Sequence, residues 1–445
     1  MATIEAQIKK LVERLNAARP GLLELDRYWE GGQPSAFMSE KSRRAVGDRL
    51  SRMSVNFPRL AVTSLAERLD VTGFRVAGQS DTDNELWALW RRNRMPDAAA
   101  QAHLDALVYG RAYALVWADD AGRPVITVES PLQMITAHDP VTRRVTAALK
   151  RWTDEDDMGH AVLYTPSMIY RLSGPRTLDP SLFPGTGWTV TERIVNPLEV
   201  VPVVPIVNRG RLLDTEGVSG MRDILGLSDA LNKTMSDALV TSEAYARPKR
   251  WVTGLEIMED EDGNVLDPFS NDAGQVWQSE SPETKFGQFD GADLSGYAAL
   301  TAVITQQIGA LSGLPPHFLG LSGSEPASSD AIYAAEAPMV QHAMELQRTF
   351  GAAWADVMAL AVAVRDRIDP LDVDIETVWA DPQTRTAAAA ADAAAKLAGI
   401  GVPLRELLVQ HLGYTPERAR EVMAVTVPVN NNSEATTAPA GSEVA

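Results

Sequence analysis

The amino-acid sequence predicts an α+β fold, in which helical segments flank a long block of β-strands. Apolar residues recur at helical spacing in the first hundred residues and again after residue 217, whereas β-forming runs fill most of the interval 112–208. Two long helical stretches also bracket a second, short β-rich segment. A segment held in this way must project from the body of the molecule.

Helices and one strand are predicted before residue 110. Apolar residues recur at helical spacing from Ile4 to Leu15, and Pro20-Gly21 is expected to stop this run, so two short helices are predicted here. The next elements are a helix over residues 60–69, a strand over 71–76, a helix that breaks at Pro96 and a helix over 98–109 that ends at Gly110.

The interval 112–208 has the pattern of an antiparallel meander. A hairpin signal at residues 119–122 separates two β-rich runs, and further runs cover residues 134–136, 145–152, 160–164 and 168–172. The last apolar run, residues 200–207, contains two prolines. Because proline donates no backbone hydrogen bond, this run is predicted to be an edge strand or an extended packed segment.

Two long helices with a β-type insert between them are predicted after residue 217. The first covers residues 218–246, with Ser219 as its candidate N-cap, and spans about 43 Å at 1.5 Å per residue. The insert covers residues 251–293, and the second helix carries an apolar stripe from Tyr297 to Leu311. A single chain offers these stripes little to pack against, which favours an oligomer that buries them against a neighbouring copy.

A loop and a long helix follow this pair. Residues 312–328 are rich in Gly, Pro and Ser, and from Ser329 a helix carries an apolar stripe that extends from Ile332 to Val364. Pro338 lies inside this helix and predicts a kink. Short helices are predicted around residues 387–395, 404–411 and 417–425, and from Pro428 onward the chain is expected to be disordered.

The charge and the cysteine content exclude several classes of protein. The 445 residues include 59 acidic and 41 basic ones, and a formal charge of -18 repels nucleic acid, so a conventional DNA-binding protein is disfavoured. The absence of cysteine excludes disulfides and thiolate metal sites and fits a protein made in a reducing cytoplasm. No apolar stretch is long enough to span a membrane, and residues 1–16 lack the apolar centre of a signal peptide.

Motifs for catalysis and for cofactor binding are absent, since the sequence contains no P-loop, GxGxxG, HExxH or GxSxG pattern. The six histidines are scattered, so no metal site is predicted. The turn at residues 259–263 is interpreted as a solvated acidic turn and not as a calcium loop, because Met258 occupies the first ligand position. The arginines at residues 91–94 are interpreted as a helix terminus or a subunit contact and not as a phosphate site.

Eight short segments occur in a specific order and spacing. They cover residues 55–60, 69–76, 86–93, 109–117, 200–209, 312–320, 329–336 and 350–354, and include Ser312-Gly-Leu-Pro-Pro-His-Phe-Leu-Gly. In these segments the chain resembles the portal proteins of tailed bacteriophages, in the siphophage-type branch found in phages of actinobacteria. The resemblance covers most of the chain.

The resemblance implies a portal fold with a wing, a two-helix stem, a β-containing clip, a long kinked wing helix and a helical crown. The elements predicted above fit this order segment by segment. The implied assignment is residues 1–217 to the N-terminal helices and the β-rich wing, 218–246 and 293–311 to the stem, 247–292 to the clip, 312–328 to the tunnel loop, 329–383 to the long wing helix and a following strand, 384–425 to the crown, and 426–445 to a disordered tail.

The resemblance also implies a structural function without enzymatic activity. Twelve copies would form a ring at one capsid vertex, and double-stranded DNA would pass through this ring, without sequence specificity, during packaging and ejection. The implied partners are further copies of the chain, the major capsid protein, the terminase large subunit and a head-tail adaptor protein, with no membrane and no cofactor. The implied location is the virion, after assembly in the host cytoplasm.

Two sets of candidate residues follow from the resemblance. Tunnel-loop residues expected to face the DNA channel are Ser312, Gly313, Leu314, Pro315, Pro316, His317, Ser322 and Ser324. Clip residues expected to form a docking surface are Trp251, Asp260, Asp262, Trp277 and Phe286. The tunnel loop is expected to move without disturbing the helices on either side of it.

The clip region is strongly acidic. Between Glu256 and Asp293 there are eleven acidic residues, against Lys285 alone. A channel that neutralised the phosphates of DNA would hold the duplex tightly, so an acidic surface suits a conduit.

Two alternatives stay open at this point. A multidomain acidic hydrolase with a site built from scattered carboxylates, such as Asp260 or Asp381, would leave no motif in the sequence. A different head-to-tail connector is disfavoured by length, because such adaptors are generally much shorter. The mass of the native protein separates the first alternative from a portal, since an enzyme is usually a small oligomer and a portal is a large ring.

Overall fold

The computed structural model describes residues 3–33, 54–79, 82–177, 183–208, 211–246, 250–254, 282–288, 293–321, 328–383, 387–414 and 416–425. Both helices and antiparallel strands contribute to these residues, so the α+β class is confirmed. A search of the same residues finds no helix with the length and apolar character needed to cross a membrane. The predicted disordered tail lies outside the described residues.

The helices account for about half of the described chain. They are α1 (Ile4–Glu30), α2 (Phe57–Ala66), α3 (Asn84–Arg92), α4 (Met95–Tyr109), α5 (Leu225–Ala246), α6 (Ser295–Ser312), α7 (Ser329–Asp366), α8 (Ala387–Gly399) and α9 (Pro416–Val425). A short helical turn at Leu404–Glu406 continues as the π-helix Leu407–His411 between α8 and α9. These helices confirm the predictions from periodicity, except in α1 and at the start of α5.

The strands are all paired in antiparallel fashion. They are β1 (Val71–Val76), β2 (Arg111–Ala118), β3 (Pro124–Glu129), β4 (Met134–His138), β5 (Val145–Thr153), β6 (Met158–Tyr164), β7 (Met168–Arg176), β8 (Thr189–Val195), β9 (Val203–Val207), β10 (Arg250–Thr253), β11 (Lys285–Gln288) and β12 (Ile375–Trp379). Strands β4 to β8 form a five-stranded meander, and β3-β2-β9 form a three-stranded sheet. Strand β1 pairs with β12, and β10 pairs with β11.

The predicted meander is confirmed in β4 to β7, but the predicted hairpin β2–β3 belongs to a separate sheet. The sequence pattern did not predict β8, whose residues are mostly exposed. An exposed strand lacks the apolar run that identifies a buried one. The block of strands is therefore two sheets and not one.

Strand β9 lies at the edge of its sheet, as its prolines predict. Between β2 and β9, the Asn208 N–H donates to the Gly110 carbonyl at 2.9 Å. Because hydrogen-bonded pairs alternate along antiparallel strands, the even-numbered residues of β9 are the ones that bond to β2. The odd-numbered residues turn their backbone groups away from β2. Pro205 is one of these, so the N–H that proline lacks is not needed in the sheet.

Helix α1 is one helix of 27 residues, so the prediction of two short helices was wrong. Pro20 lies inside it, where a proline removes one hydrogen bond and costs about 3 kcal/mol. The first half buries Leu11 and Leu15 against the five-stranded sheet, and the second half buries Leu22 in the main core. Because α1 joins two apolar cores, its packing offsets the local cost of Pro20.

Helix α5 begins at Leu225, after a turn of 3-10 helix at Arg222–Ile224, and not at Val218 as predicted. The Val218 N–H donates to the Asn208 carbonyl and the Gly220 N–H donates to the Leu107 carbonyl. Because these two N–H groups donate to carbonyls outside the segment, they are not available for helical hydrogen bonds, and residues 218–221 do not form a helix. The hydroxyl of Ser219 accepts from the Met221 N–H, but the 3-10 turn begins after Met221 and has no side-chain cap, so the prediction of Ser219 as the N-cap was wrong.

The main core is built around α7. Its residues Met339, Leu346, Phe350, Trp354 and Val357 are all buried, which confirms most of the predicted stripe. The exception is Ile332, near the start of the helix, which is 36% exposed. The helix continues on both sides of Pro338, and the kink there stays a prediction.

An aromatic cluster surrounds a histidine in this core. The rings of Phe74 and Trp354 both contact Trp90 edge to face, with centroids 4.9 and 5.0 Å apart. His103 accepts a hydrogen bond from the Trp354 indole N–H at 2.7 Å. Burial lowers the pKa of His103 to about 4, against a weaker opposing hydrogen bond to the Leu69 backbone, so the imidazole is neutral and has a structural role.

Candidate functional site

The segment that follows α6 contains the first predicted tunnel-loop residues. Ser312 is the last residue of α6, and Gly313 ends the helix in the left-handed conformation, with a φ of 72°. A Cβ atom on Gly309 would lie 2.5 Å from Leu319, so this segment folds back tightly onto α6. Leu314, Pro315 and Leu319 are buried, whereas Pro316 and His317 are exposed.

This packing corrects one expectation about the loop. Leu314 and Leu319 belong to the main core, and Phe318 and Leu321 pack against it. Residues 314–321 therefore cannot move without disturbing the core, contrary to the sequence-based expectation. The remaining predicted tunnel-loop residues, Ser322 and Ser324, lie outside the described residues.

A buried ion pair lies beneath this segment. Glu336 of α7 is only 5% exposed, and its carboxylate lies 3.1 Å from the Arg68 guanidinium and 3.5 Å from the His317 ring. Arg68 also donates to the Pro382 carbonyl at 2.6 Å. A buried carboxylate needs such partners, because an unpaired buried charge is strongly destabilising. The cluster joins the segment after α6 to α7, to the end of α2 and to the segment after β12.

Helices α5 and α6, which the resemblance assigns to the stem, lie side by side. The first half of α5 is held by the rest of the protein, since Tyr28 donates to Asp229 at 2.8 Å and the Val55 N–H donates to Asn232 at 2.8 Å. Further along, the hydroxyls of Thr241 and Tyr297 lie 3.3 Å apart. Among the described residues, the first half of α5 therefore contacts the body of the protein, and Thr241 in its second half contacts α6.

The apolar stripe of α6 is only partly exposed. Ile304 and Ile308 are buried in the main core, so the expectation that the stripe finds no partner within one chain is wrong in the middle of the helix. Leu300 and Leu311 of the same stripe are 48% and 56% exposed, and Val303 beside them is 54% exposed. The unpartnered apolar surface of α6 consists of these three residues.

A two-stranded ribbon, β10–β11, follows α5 and precedes α6. In its register Trp251 lies opposite Gly287 and Val252 lies opposite Phe286. Since residues that face each other share one side of a sheet, Trp251 and Phe286 lie on opposite sides of the ribbon. Both rings are exposed, by 38% and 41%. The other predicted clip residues, Asp260, Asp262 and Trp277, lie outside the described residues.

Two of the eleven acidic residues of this region are described, Glu283 and Asp293. Asp293 precedes α6 and accepts hydrogen bonds from the backbone N–H and the hydroxyl of Ser295, both at 2.8 Å. These bonds lower the pKa of Asp293. A carboxylate at this position also interacts favourably with the positive end of the helix dipole.

One of the two carboxylates named as candidates for a hydrolase site lies among the described residues. No group of three or more His, Cys, Asp or Glu side chains within them is arranged to hold a metal ion. Asp381, one of the two candidate carboxylates, lies 3.9 Å from His411, and Asp260 lies outside the described residues.

The sequence pattern did not predict the Arg68–Glu336 pair. These two residues are separated by 268 positions, and each lies in or beside an apolar helical run, where only the tertiary fold brings them together. The exposed position of Val303 was also missed, because it lies beside the stripe defined by periodicity. A buried acidic residue within an apolar stripe, as Glu336 is, would have been the only available clue.

Comparison with known proteins decides the family. The model of the family described as "Phage portal protein, SPP1 Gp6-like" matches residues 8–422. The chain belongs to this family of phage portal proteins. It is 32% identical to the portal protein of Mycobacterium phage L5 over 418 residues, which cover 87% of this chain and 83% of the relative. It is 33% identical to the portal protein of Mycobacterium phage D29, over 83% of this chain and 78% of the relative.

Among solved structures, a chain in the neck of a native gene transfer agent particle, computed with C12 symmetry, is similar to this portal protein. The two share 16% identity and a TM-score of 0.48, over 87% of this chain and 92% of the other. The resemblance to phage portal proteins inferred from short segments is thus confirmed by the family match. As a portal protein, the chain is a structural component of the virion at the connection between head and tail.

Proposed function

We propose that this portal protein forms a ring of twelve copies at one capsid vertex, and that double-stranded DNA passes through the ring during packaging and ejection. The observation that carries the proposal is the family match over residues 8–422. Two features of the fold support it: the helix pair α5–α6 with a strand ribbon between its helices, and an apolar surface on α6 that no described residue covers. Assembly would take place in the host cytoplasm, with the major capsid protein around the finished ring.

The exposed surface of α6 supports contact between copies. Leu300, Val303 and Leu311 are each about half exposed, which is unusual for three large apolar residues on one helix. A neighbouring copy in a ring would cover them and remove apolar area from water.

Electron microscopy of the purified protein, viewed down the particle axis, tests the ring directly. We expect closed rings with a central channel, and light scattering should give the mass of about twelve chains of 48.2 kDa each. A monomer that persists at high protein concentration would contradict the proposal. A small oligomer with hydrolytic activity would instead favour an enzyme.

The tunnel loop, residues 312–328, is proposed to contact DNA in the channel. Its first part is anchored by Leu314 and Leu319 in the main core and by the contact of His317 with Glu336. Deleting two residues within 322–327 should leave the rings intact and change the amount of DNA packaged. Loss of rings after this deletion would show that the segment is a structural connector.

The clip, residues 247–292, is proposed to dock the terminase large subunit during packaging and the head-tail adaptor protein afterwards. The exposed rings of Trp251 and Phe286 on the two sides of the ribbon support a role in binding. Replacing residues 251–288 with a short Gly-Ser linker should abolish binding of both partners. The remainder should stay folded, because no described residue of this segment belongs to the main core. Retained binding of both partners would overturn this assignment.

A further inference from the structure

An open groove runs along α7. It has a volume of about 860 Å³ and lies between α7 and the edge strand β9, and the segment 373–375 lines it as well. A second groove of about 570 Å³ continues along α7 beside β12 and shares Ala352, Ala355 and Ile375 with the first. We call the two together the α7 groove. On the α7 side its floor includes the small residues Ala352, Ala355 and Ala359, which leave room for larger side chains from outside.

The rim of the α7 groove carries charged side chains. Asp356 and Asp374 are exposed on one part of the rim, and Arg143 and Arg144 are exposed at the β4–β5 turn. Within the described part of the chain, none of these four side chains forms an ion pair. A partner of the groove should therefore offer charges of both signs around an apolar centre.

The loop between β9 and α5 has this composition. Leu212 and Leu213 are adjacent and are 79% and 90% exposed. Arg211 precedes them and Asp214 follows them, and neither side chain forms an ion pair with a described residue. Two adjacent leucines with so little cover are unusual in a folded protein and indicate a contact with another surface.

The base of this loop is fixed beside the three-stranded sheet, and Leu212 and Leu213 do not line the groove of their own subunit. Glu216, at the base, lies 2.6 Å from Arg14 and 3.3 Å from Arg111. Arg111 shares one face of β2 with Tyr113, which packs toward the five-stranded sheet. Ala112 and Ala114 point to the other face and pack in the core with α7.

We propose that the loop 211–216 of one portal subunit docks into the α7 groove of the next subunit in the ring. Leu212 and Leu213 cover the small residues of the floor, Arg211 approaches Asp356 and Asp374, and Asp214 approaches the arginines of the β4–β5 turn. A head-to-tail ring needs two different, complementary surfaces on each copy, and the loop and the groove supply them. This inference rests on the ring proposed above and assigns one of its contacts.

Crosslinking between two different variants tests the contact, because the chain contains no cysteine of its own. One variant carries Leu213→Cys and the other carries Ala352→Cys, and the two are mixed, assembled and oxidised. A disulfide between them joins two chains, so non-reducing electrophoresis should show a covalent dimer. The matched control replaces the first variant with Ile400→Cys, which is 78% exposed in the helical C-terminal region and should give no dimer.

A second pair of variants measures the contribution to assembly. Leu212→Ser with Leu213→Ser should lower the fraction of protein in rings at least tenfold at a concentration where the wild type is half assembled. Ile400→Ser should leave that fraction unchanged. The circular dichroism spectra should be the same for all three proteins, since the changed side chains are exposed.

The outcomes separate this inference from the proposed function. Wild-type rings without the crosslink, together with normal assembly of the Leu212→Ser and Leu213→Ser variant, would overturn the docking of the loop and leave the ring intact. A crosslink that also appears with Ile400→Cys would show that the disulfides do not report on the contact, and normal assembly of the serine variant would then decide against it. A wild-type protein that forms no ring would overturn both proposals.

Discussion

A Cβ atom on Gly217 would lie 1.9 Å from the carbonyl oxygen of Gly110, so these two glycines meet backbone to backbone. Both have positive φ angles, 91° at Gly110 and 78° at Gly217, in the region that L side chains rarely adopt. Gly110 joins α4 to β2, and Gly217 precedes α5. The contact therefore sets where the helix pair α5–α6 begins relative to the three-stranded sheet.

Replacing Gly217 with alanine should destabilise the protein by at least about 2 kcal/mol, because the new methyl group meets backbone atoms and the φ angle is unfavourable. Urea denaturation followed by circular dichroism measures this change. Gly226→Ala is the control, since nothing lies within 4 Å of a Cβ atom there and the residue is inside α5. This variant should be as stable as the wild type or up to about 1 kcal/mol more stable. Equal effects of the two substitutions would contradict the importance of the contact.

Asp105 makes the stability of the protein depend on pH. The pKa of Asp105 is raised to about 6, mainly by burial and also by the nearby charge of Asp26. A hydrogen bond with Ser130 lowers the pKa and offsets part of this effect. Because the folded-state pKa lies above the ordinary aspartate value of 3.8, the stability associated with this group is fully present below about pH 4 and is lost as the pH rises through 6.

Asp105→Asn should therefore stabilise the protein at pH 7.5, by up to roughly 3 kcal/mol, and have little effect at pH 4. Urea denaturation of the variant and the wild type at both pH values measures the difference. Asp120→Asn, at an exposed turn, is the control and should have no effect at either pH. A stabilisation of equal size at pH 4 and pH 7.5 would show that the charge of Asp105 is not its cause.

Leu319 should contribute to stability although it lies in the predicted tunnel loop. It is 8% exposed and belongs to the main core, so Leu319→Ala should lower the free energy of unfolding by about 2–4 kcal/mol. Ser322→Ala with Ser324→Ala should leave that free energy within about 0.5 kcal/mol of the wild type. Denaturation curves of purified protein measure both. If the Leu319 variant were as stable as the wild type, residues 314–321 would not anchor the loop.

The exposed surface of α6 should matter for assembly and not for folding. Leu300→Ser with Val303→Ser should reduce the fraction of rings seen by light scattering, because apolar area between copies is lost. The midpoint of unfolding of the monomer should change little, since both side chains are about half exposed. Ala302→Ser, on another side of the same helix, should leave assembly unchanged. Unimpaired rings in the double variant would place the subunit contact elsewhere.

Local patterns in the sequence determined most of the secondary structure. Helical periodicity located α6 and α7, the turn at residues 119–122 located the β2–β3 hairpin, and the prolines of residues 200–207 limited β9 to an edge strand or an extended packed segment. These features depend on residues a few positions apart, so the sequence contains them directly. The family resemblance rested on short segments of the same kind, and the comparisons confirmed it.

The tertiary structure alone decided how these elements combine. It keeps α1 continuous through Pro20, divides the strands between two sheets, pairs β1 with β12 and brings Arg68 to Glu336. It also buries Leu314 and Leu319, which lie in a segment whose Gly, Pro and Ser content predicts a loop. Each of these outcomes depends on the area buried between residues far apart in the chain, and this energy outweighs the local preference of a proline, a glycine or a polar turn.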